Sequence, residues 1–256
     1  MSTPDDNLLC LINDAKLKFN QYAETQTNFQ APQAHISIES ETNDTTKVHI
    51  DVEYNGIQYH FESVEEKDIN NIYQYLNSQH SVRAKYASGN TPSLKDTTAR
   101  IHTLINRFKD KKSRLYLYSG FTVCDSETDM FLGCANLGSG SEPGTSEMAF
   151  LNRQDCWSHP IDITLTNTLA DMKTTNKKIY SGIGTVEVCT LLQYGARLKQ
   201  DGYTIDGHPL KSIVATARLD NEGSWKSCAK AGMTLYDVGV VDHYGSKIRY
   251  QLQKIM

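Results

Sequence analysis

The sequence predicts an α+β fold, and three observations carry that reading. An Asn55-Gly56 pair separates two stretches of alternating apolar and polar residues, the signature of a two-residue hairpin. Apolar residues recur at helical spacing in several other segments. From residue 57 onward the elements run β-α-α-β-β-β-α-β-α-β-β, a mixed order of strands and helices. At 256 residues the chain suits one large domain, or a domain of roughly 150–200 residues with an extension.

Residues 7–25 carry Leu8, Leu11, Ile12, Ala15 and Phe19 three or four apart, a spacing that buries one face of a helix. A polar stretch with Pro32 follows as a linker, and His35–Ile38 and Val48–Tyr54 alternate as strands. Across the Asn55-Gly56 turn, Tyr54 pairs with Ile57, Val52 with Tyr59 and Ile50 with Phe61, so all six fall on one face. Ser63-Val64-Glu65-Glu66 has capping-box spacing, followed by the helical stripe Ile69, Ile72, Tyr73 and Leu76. A second helix starts near Ser93, with Leu94, Thr98, Ile101, Leu104, Ile105 and Phe108 inward. Strands are expected at Leu115–Cys124, at Met130–Leu137 and, after a glycine-rich stretch, at Glu147–Leu151. Residues 152–180 contain a candidate short helix at Leu165–Met172. A helix at Ile183–Lys199 presents Val188, Leu191, Leu192, Gly195 and Leu198 on one face. A strand at Ser212–Arg218, a helix at Gly223–Ala231 and a hairpin of Leu235–Asp242 with Lys247–Gln253 complete the chain.

Two segments carry chemistry. Gly182-Ile183-Gly184-Thr185 opens an apolar helix, and a tight glycine loop there presents free N–H groups and a positive dipole end that suit a pyrophosphate. A plain turn at the start of a helix is the competing explanation. Asp220-Asn221-Glu222-Gly223-Ser224 opens the next helix, where Asp or Asn also serves simply as an N-cap. The order is glycine loop and helix, strand, then Asp-Asn-x-x-Ser and a helix ending at Gly232-Met233. That order resembles the acyl-CoA-binding half of the GNAT N-acetyltransferases, closest to the RimJ/RimL-like branch.

The resemblance implies a mixed, mostly antiparallel sheet flanked by helices over residues 56–256, with an insertion at 152–180. Residues 1–55 are then an N-terminal extension that adds a helix and edge strands. The resemblance also implies acetyl-CoA as co-substrate and direct attack on its thioester by a primary amine, either a protein N-terminus or a small molecule. Tyr180, Ser181, Gly182, Ile183, Gly184 and Thr185 are the implied pyrophosphate cradle. Phe150, Leu151 and Asn152 are the implied main-chain contacts to pantetheine, and Asn221 touches the same region. Glu147 is the implied general base, directly or through water, because an alkyl ammonium with a pKa of about 10 must lose a proton before it attacks. Ser224 is the implied acid toward the departing thiolate. The chain departs from the family pattern at Ile179, where the signature opens on a basic residue or Gln, and at Cys228, where many members place a Tyr. Thr216 stands where other members carry a base on the next strand.

Those departures keep a second reading open: a CoA-binding protein without transferase activity that acts as a sensor or partner-binding module. A net charge of -4 supplies no basic field for nucleic acid or anionic membrane. Six cysteines (Cys10, Cys124, Cys134, Cys156, Cys189 and Cys228) lack CxxC pairing or His partners at ligand spacing. Neither a metal site nor a disulfide framework is therefore expected, and reduced thiols point to a cytoplasmic location. The polar, acidic start Met1–Asp6 is no signal peptide, and no apolar run approaches the roughly 20 residues of a membrane span. Asp242 and His243 read as a solvated turn and Trp225 as packing. The acceptor's identity and the oligomeric state are not legible.

Overall fold

The computed structural model describes residues 4–40, 45–157, 160–165, 174–241, 244–245 and 247–256. In chain order the elements begin α1 (Pro4–Glu24), β1 (Ala34–Ser40), β2 (Thr46–Tyr54), β3 (Ile57–Ser63), α2 (Ile69–Ile72, continued by a π turn at Tyr73–Asn77), α3 (His80–Arg83) and α4 (Leu94–Lys109). They continue β4 (Gly120–Asp125), β5 (Met130–Ser139), β6 (Thr145–Asn152), β7 (Pro160–Leu165), β8 (Thr174–Ile179) and α5 (Ile183–Gln200). The chain ends β9 (Thr204–Ile205), β10 (His208–Pro209), β11 (Ser212–Arg218), α6 (Glu222–Lys230), β12 (Thr234–Val240) and β13 (Ile248–Ile255). Nine strands form one sheet in the order β1-β2-β3-β4-β5-β6-β11-β13-β12. Its neighbours are antiparallel except for the parallel pair β6–β11.

Adjacent strand residues point to opposite faces, and β5 shows which helices cover each. Phe131 packs into a cluster with Ile72, Leu76, Ile101 and Leu104 of α2 and α4, while Leu132 joins Val188, Leu191 and Trp225 of α5 and α6. The Asn55-Gly56 hairpin has the expected register, Tyr54↔Ile57, Val52↔Tyr59 and Ile50↔Phe61. Asn55 and Gly56 both take positive φ, 53° and 74°, as a two-residue hairpin turn of this twist requires.

The N-terminal segment extends the sheet edge and also reaches the opposite edge. β1 pairs with β2 from Ala34↔Val52 to Ser40↔Thr46. The second half of α1 is anchored by Phe19, whose ring lies 6.0 Å from Trp225 and 5.9 Å from Tyr250. Burying a side chain of this size contributes about 2–3 kcal/mol. Leu8 and Leu11, expected inward, remain 46% and 47% exposed, because the packing residues of α1 begin at Ile12 and are fully buried only from Ala15.

Four local expectations are corrected. Ser63 does not cap a helix: its Oγ accepts from Val48 N–H at 2.7 Å, and the cap falls at Glu65, whose N–H donates to Asp68 Oδ2 at 2.8 Å. The strand expected from Leu115 begins at Gly120, because residues 113–118 turn and Leu117 takes a left-handed φ of 67°. In the helix capped by Ser93, Thr97 rather than Thr98 is the buried threonine. The insertion holds an antiparallel hairpin, β7 against β8, from Pro160↔Ile179 to Leu165↔Thr174. Leu165 thus ends a strand, and the rest of the candidate helix at Leu165–Met172 lies outside the described residues. Ile161-Asp162-Ile163-Thr164-Leu165 alternates with β-branched residues, a strand signal that was present in the sequence.

Candidate active site

A wedge opens in the centre of the sheet. β6 and β11 pair only over Thr145–Glu147 and Ser212–Val214. Beyond that point β6 stays with β5, and β11 stays with β13. The separated edges enclose a cavity of about 390 Å³, lined by Met148–Asn152 of β6, Ala215–Ala217 of β11 and the starts of α5 and α6. Main-chain groups on the open edge of β6 are thereby left available to a strand-like ligand.

At one end of the wedge the chain enters α5 through Gly182, in the left-handed region at φ 89°. A Cβ there would meet Tyr54 Cε1 at 3.0 Å; one on Gly184 would meet Ser227 Oγ at 3.0 Å and Phe150 Cε2 at 3.3 Å. Glycine is needed at both positions, at the first for backbone conformation and at both for close approach. Ile183 N–H donates to Tyr180 O at 3.2 Å and Thr185 N–H to Gly182 O at 2.8 Å. Among the described residues no acceptor meets Gly184 N–H, which sits at the positive end of an 18-residue helix.

The expected cradle divides by position. Tyr180, Gly182, Ile183 and Gly184 line the cavity, whereas Ser181 and Thr185 do not. Tyr180 contributes main chain only, since its hydroxyl donates to Asp125 Oδ2 at 2.6 Å within the core. Ser181 faces solvent, and the Thr185 hydroxyl is buried against Ser227 Oγ at 3.4 Å. Ile179 is 53% exposed just before the loop.

Glu147, Phe150, Leu151, Asn152, Asn221 and Ser224 all line the same cavity. Glu147 stands at the last paired position before the strands part, where Tyr244 donates its hydroxyl to Glu147 Oε1 at 2.7 Å. Burial, and then the Glu147 charge, push the Tyr244 phenol far above its ordinary range, so it stays a donor. Arg249 stacks over the Tyr244 ring at 4.7 Å and donates to the Ala87 carbonyl. Nothing in the sequence singled out Tyr244, which reaches Glu147 from a distant loop. Its neighbours Asp242 and His243 lie outside the described residues.

Asn221 occupies the N-cap position of α6 without capping it through its side chain. Its Nδ2 donates to the Lys85 carbonyl at 3.2 Å, and Asp220 accepts from Arg218 at 3.0 and 2.9 Å. The pair expected to cap α6 therefore ties the segment after α3 to the mouth of the cavity. Ser224 N–H donates to Asn221 O at 3.1 Å. Cys228 is buried at 1% exposure in the core behind α6, and Trp225 is fully buried against Phe19, Tyr22 and Tyr250.

A second cavity, of about 360 Å³, lies under α2 and α4 and shares Tyr86, Ala87, Leu151 and Tyr244 with the first. Among the described residues no cluster of His, Cys, Asp or Glu is arranged to hold a metal ion, and no helix is long and apolar enough to cross a membrane.

A mostly antiparallel sheet that splits at one parallel pair, beside a glycine-led helix, defines the fold of the GNAT acetyltransferases. No protein-family model and no curated protein matches the sequence. Solved structures do match. An acetyltransferase of the GNAT family from Bacillus anthracis superposes with a TM-score of 0.53 at 14% identity, covering 77% of this chain and 94% of that one. The RimL ribosomal L7/L12 alpha-N-protein acetyltransferase in complex with coenzyme A gives 0.52 at 11% identity, covering 87% and 98%. The microcin C7 self-immunity acetyltransferase MccE in complex with acetyl-CoA and AMP gives 0.51 at 14%, covering 77% and 92%.

Proposed function

We propose that the protein is an acetyl-CoA-dependent N-acetyltransferase that moves an acetyl group to a primary amine by direct attack. The observation that carries this reading is the parting of β6 and β11 directly beside the left-handed Gly182 at the start of α5. Gly182–Gly184 main chain binds the pyrophosphate, and the open edge of β6 at Phe150–Asn152 pairs with pantetheine, which brings the thioester toward Glu147. The amine nitrogen forms the new N–C bond and gives up a proton to Glu147, directly or through water. A main-chain N–H of the open edge steadies the charge on the carbonyl oxygen. The C–S bond breaks with its electrons on sulfur, and the Ser224 hydroxyl donates to it, relaying a proton from water to make the free thiol. Holding both substrates in one cleft provides much of the rate.

Crystallised neighbours of this fold carry CoA and acetyl-CoA, and one is described as acting on a protein α-amine, which supports the co-substrate and an amine acceptor. Residues 56–256 form the catalytic domain in this reading. Residues 1–55 buttress its sheet, and the 152–180 insertion, whose ends line the cavity at Cys156, Trp157 and Tyr180, governs access. The test is calorimetric titration with CoA and acetyl-CoA, together with thiol release over peptide N-termini, amino acids, polyamines and aminoglycosides. Binding plus turnover supports the transferase. The exposed Ile179 and the buried Cys228 favour a second reading, a CoA-binding sensor or partner module, for which binding without turnover is the expected result.

A further inference from the structure

The second cavity contains a charge that the proposed transfer does not use. Arg83, at the end of α3, is only 8% exposed and lines this cavity. Its Nε donates to the Asn90 carbonyl at 2.7 Å, and its guanidinium stacks on Tyr86 at 4.8 Å. Among the described residues no carboxylate pairs with it and no acceptor meets its two terminal nitrogens. Arg100 of α4 lines the same cavity and adds a second positive charge. The one carboxylate among the described lining residues, Asp96, is engaged by Ser93, from Oγ at 2.6 Å and N–H at 3.2 Å. A buried cation without a counter-ion is costly unless a ligand brings the anion. Guanidinium groups also match a carboxylate's geometry.

We infer that this second cavity is the acceptor pocket, and that it takes a primary amine carrying a carboxylate a few bonds from the nitrogen. The carboxylate docks on Arg83 and Arg100, and the amine crosses the wall formed by Tyr86 and Tyr244 toward Glu147. A volume of about 360 Å³ suits a single amino acid or the first residue of a peptide. The inference rests on the transferase reading above and deepens it. Desolvation and the nearby Arg100 charge hold the Arg83 guanidinium below its ordinary range, which a bound anion would relieve.

The experiment is acetyl transfer to matched acceptors that differ only in the carboxylate. One arm compares free glutamate with glutamine and with its α-amide. The other compares peptides beginning with Glu and with Gln, which separates a free amino acid from an acidic N-terminal residue. In at least one arm the acid is expected to be preferred tenfold or more in kcat/KM. In Arg83→Gln that ratio falls at least tenfold, through KM for the acid. Arg100→Gln, on an exposed helix position, shifts it in the same direction and covers the case in which Arg83→Gln fails to fold. Equal use of acids and amides, an unchanged ratio in both variants, or no turnover at all overturns the inference. CoA titration of the same samples separates the two levels: retained CoA binding leaves the cofactor site standing, and lost binding removes the transferase reading itself.

Discussion

Asn152 Nδ2 donates to Glu187 Oε2 at 2.7 Å inside the core, with Glu187 fully shut off from solvent. Glu187 Oε1 and Asn152 Oδ1 meet no donor among the described residues. A carboxylate offers only acceptors there, whereas a neutral acid offers an O–H. Burial pushes the Glu187 carboxyl well above its usual range, against the opposing pull of the Asn152 hydrogen bond. The neutral acid is therefore the form that suits this site, hydrogen-bonded to the Asn152 that lines the cavity.

A pH dependence of stability follows. The unfolded carboxyl ionises near about pH 4.3, and the folded one only well above that. Between those two values the folded state holds more protons, so this group's contribution to stability falls as pH rises. Glu187→Gln supplies an amide donor and carries no ionisation. It is expected to be more stable than the parent at pH 8 by about 1–3 kcal/mol, with the gap closing toward about pH 4. Urea unfolding across that range reads the difference; a gap that ignores pH, or a variant weaker at pH 8, contradicts it.

Tyr244→Phe tests the hydroxyl that meets Glu147 at 2.7 Å. The phenol fixes one carboxylate oxygen at the point where the strands part, so removing it loosens the group proposed to take the amine proton. A loss in kcat/KM of about tenfold is expected, with CoA binding unchanged. An unchanged kcat/KM would mean that the phenol only packs. Glu147→Gln is expected to cost more, about 100-fold or beyond.

The sheet was legible wherever side-chain alternation met turn chemistry. The Asn55-Gly56 hairpin, Ser212–Arg218 and the Ile183 helix all stand where periodicity and glycine placement put them. Errors arose where a residue had two uses. Ser63 has capping chemistry but spends it on Val48, and Asp220 and Asn221 can cap a helix but bind Arg218 and Lys85 instead. The glycine turn at the cavity's rim was readable because the left-handed backbone at Gly182 favours glycine. The Tyr244 contact was not, because it joins residues 97 apart in the sequence that only the tertiary fold brings together.

Thiol chemistry gives an independent check on packing. Burial pushes the thiols of Cys124, Cys134, Cys156, Cys189 and Cys228 up to about 12, leaving almost no thiolate at neutral pH. Cys10 alone is exposed. Native protein treated with a maleimide at pH 7 is expected to take one label, at Cys10, and six after denaturation. Peptide mass mapping identifies the site; prompt native labelling of Cys156, Cys189 or Cys228, which are buried, would contradict this packing.

Three glycines beside the cavity separate backbone conformation from contact. Gly182→Ala places a side chain at φ 89° and its Cβ 3.0 Å from Tyr54 Cε1, so a stability loss of about 1–3 kcal/mol is expected. Gly184→Ala has ordinary φ, but its Cβ meets Ser227 Oγ at 3.0 Å and Phe150 Cε2 at 3.3 Å, displacing the loop rather than straining it. Its principal effect should be on CoA affinity, weakened about tenfold, with a smaller change in Tm. Gly223→Ala has no atom within 4 Å of the new Cβ and lies in a helix, where alanine is preferred by about 1 kcal/mol. It should melt at or above the parent. Calorimetric melting and CoA titration of the three variants together test the assignment. If Gly184→Ala binds CoA as tightly as the parent while its fold is intact, the main chain at the start of α5 is not what holds the pyrophosphate.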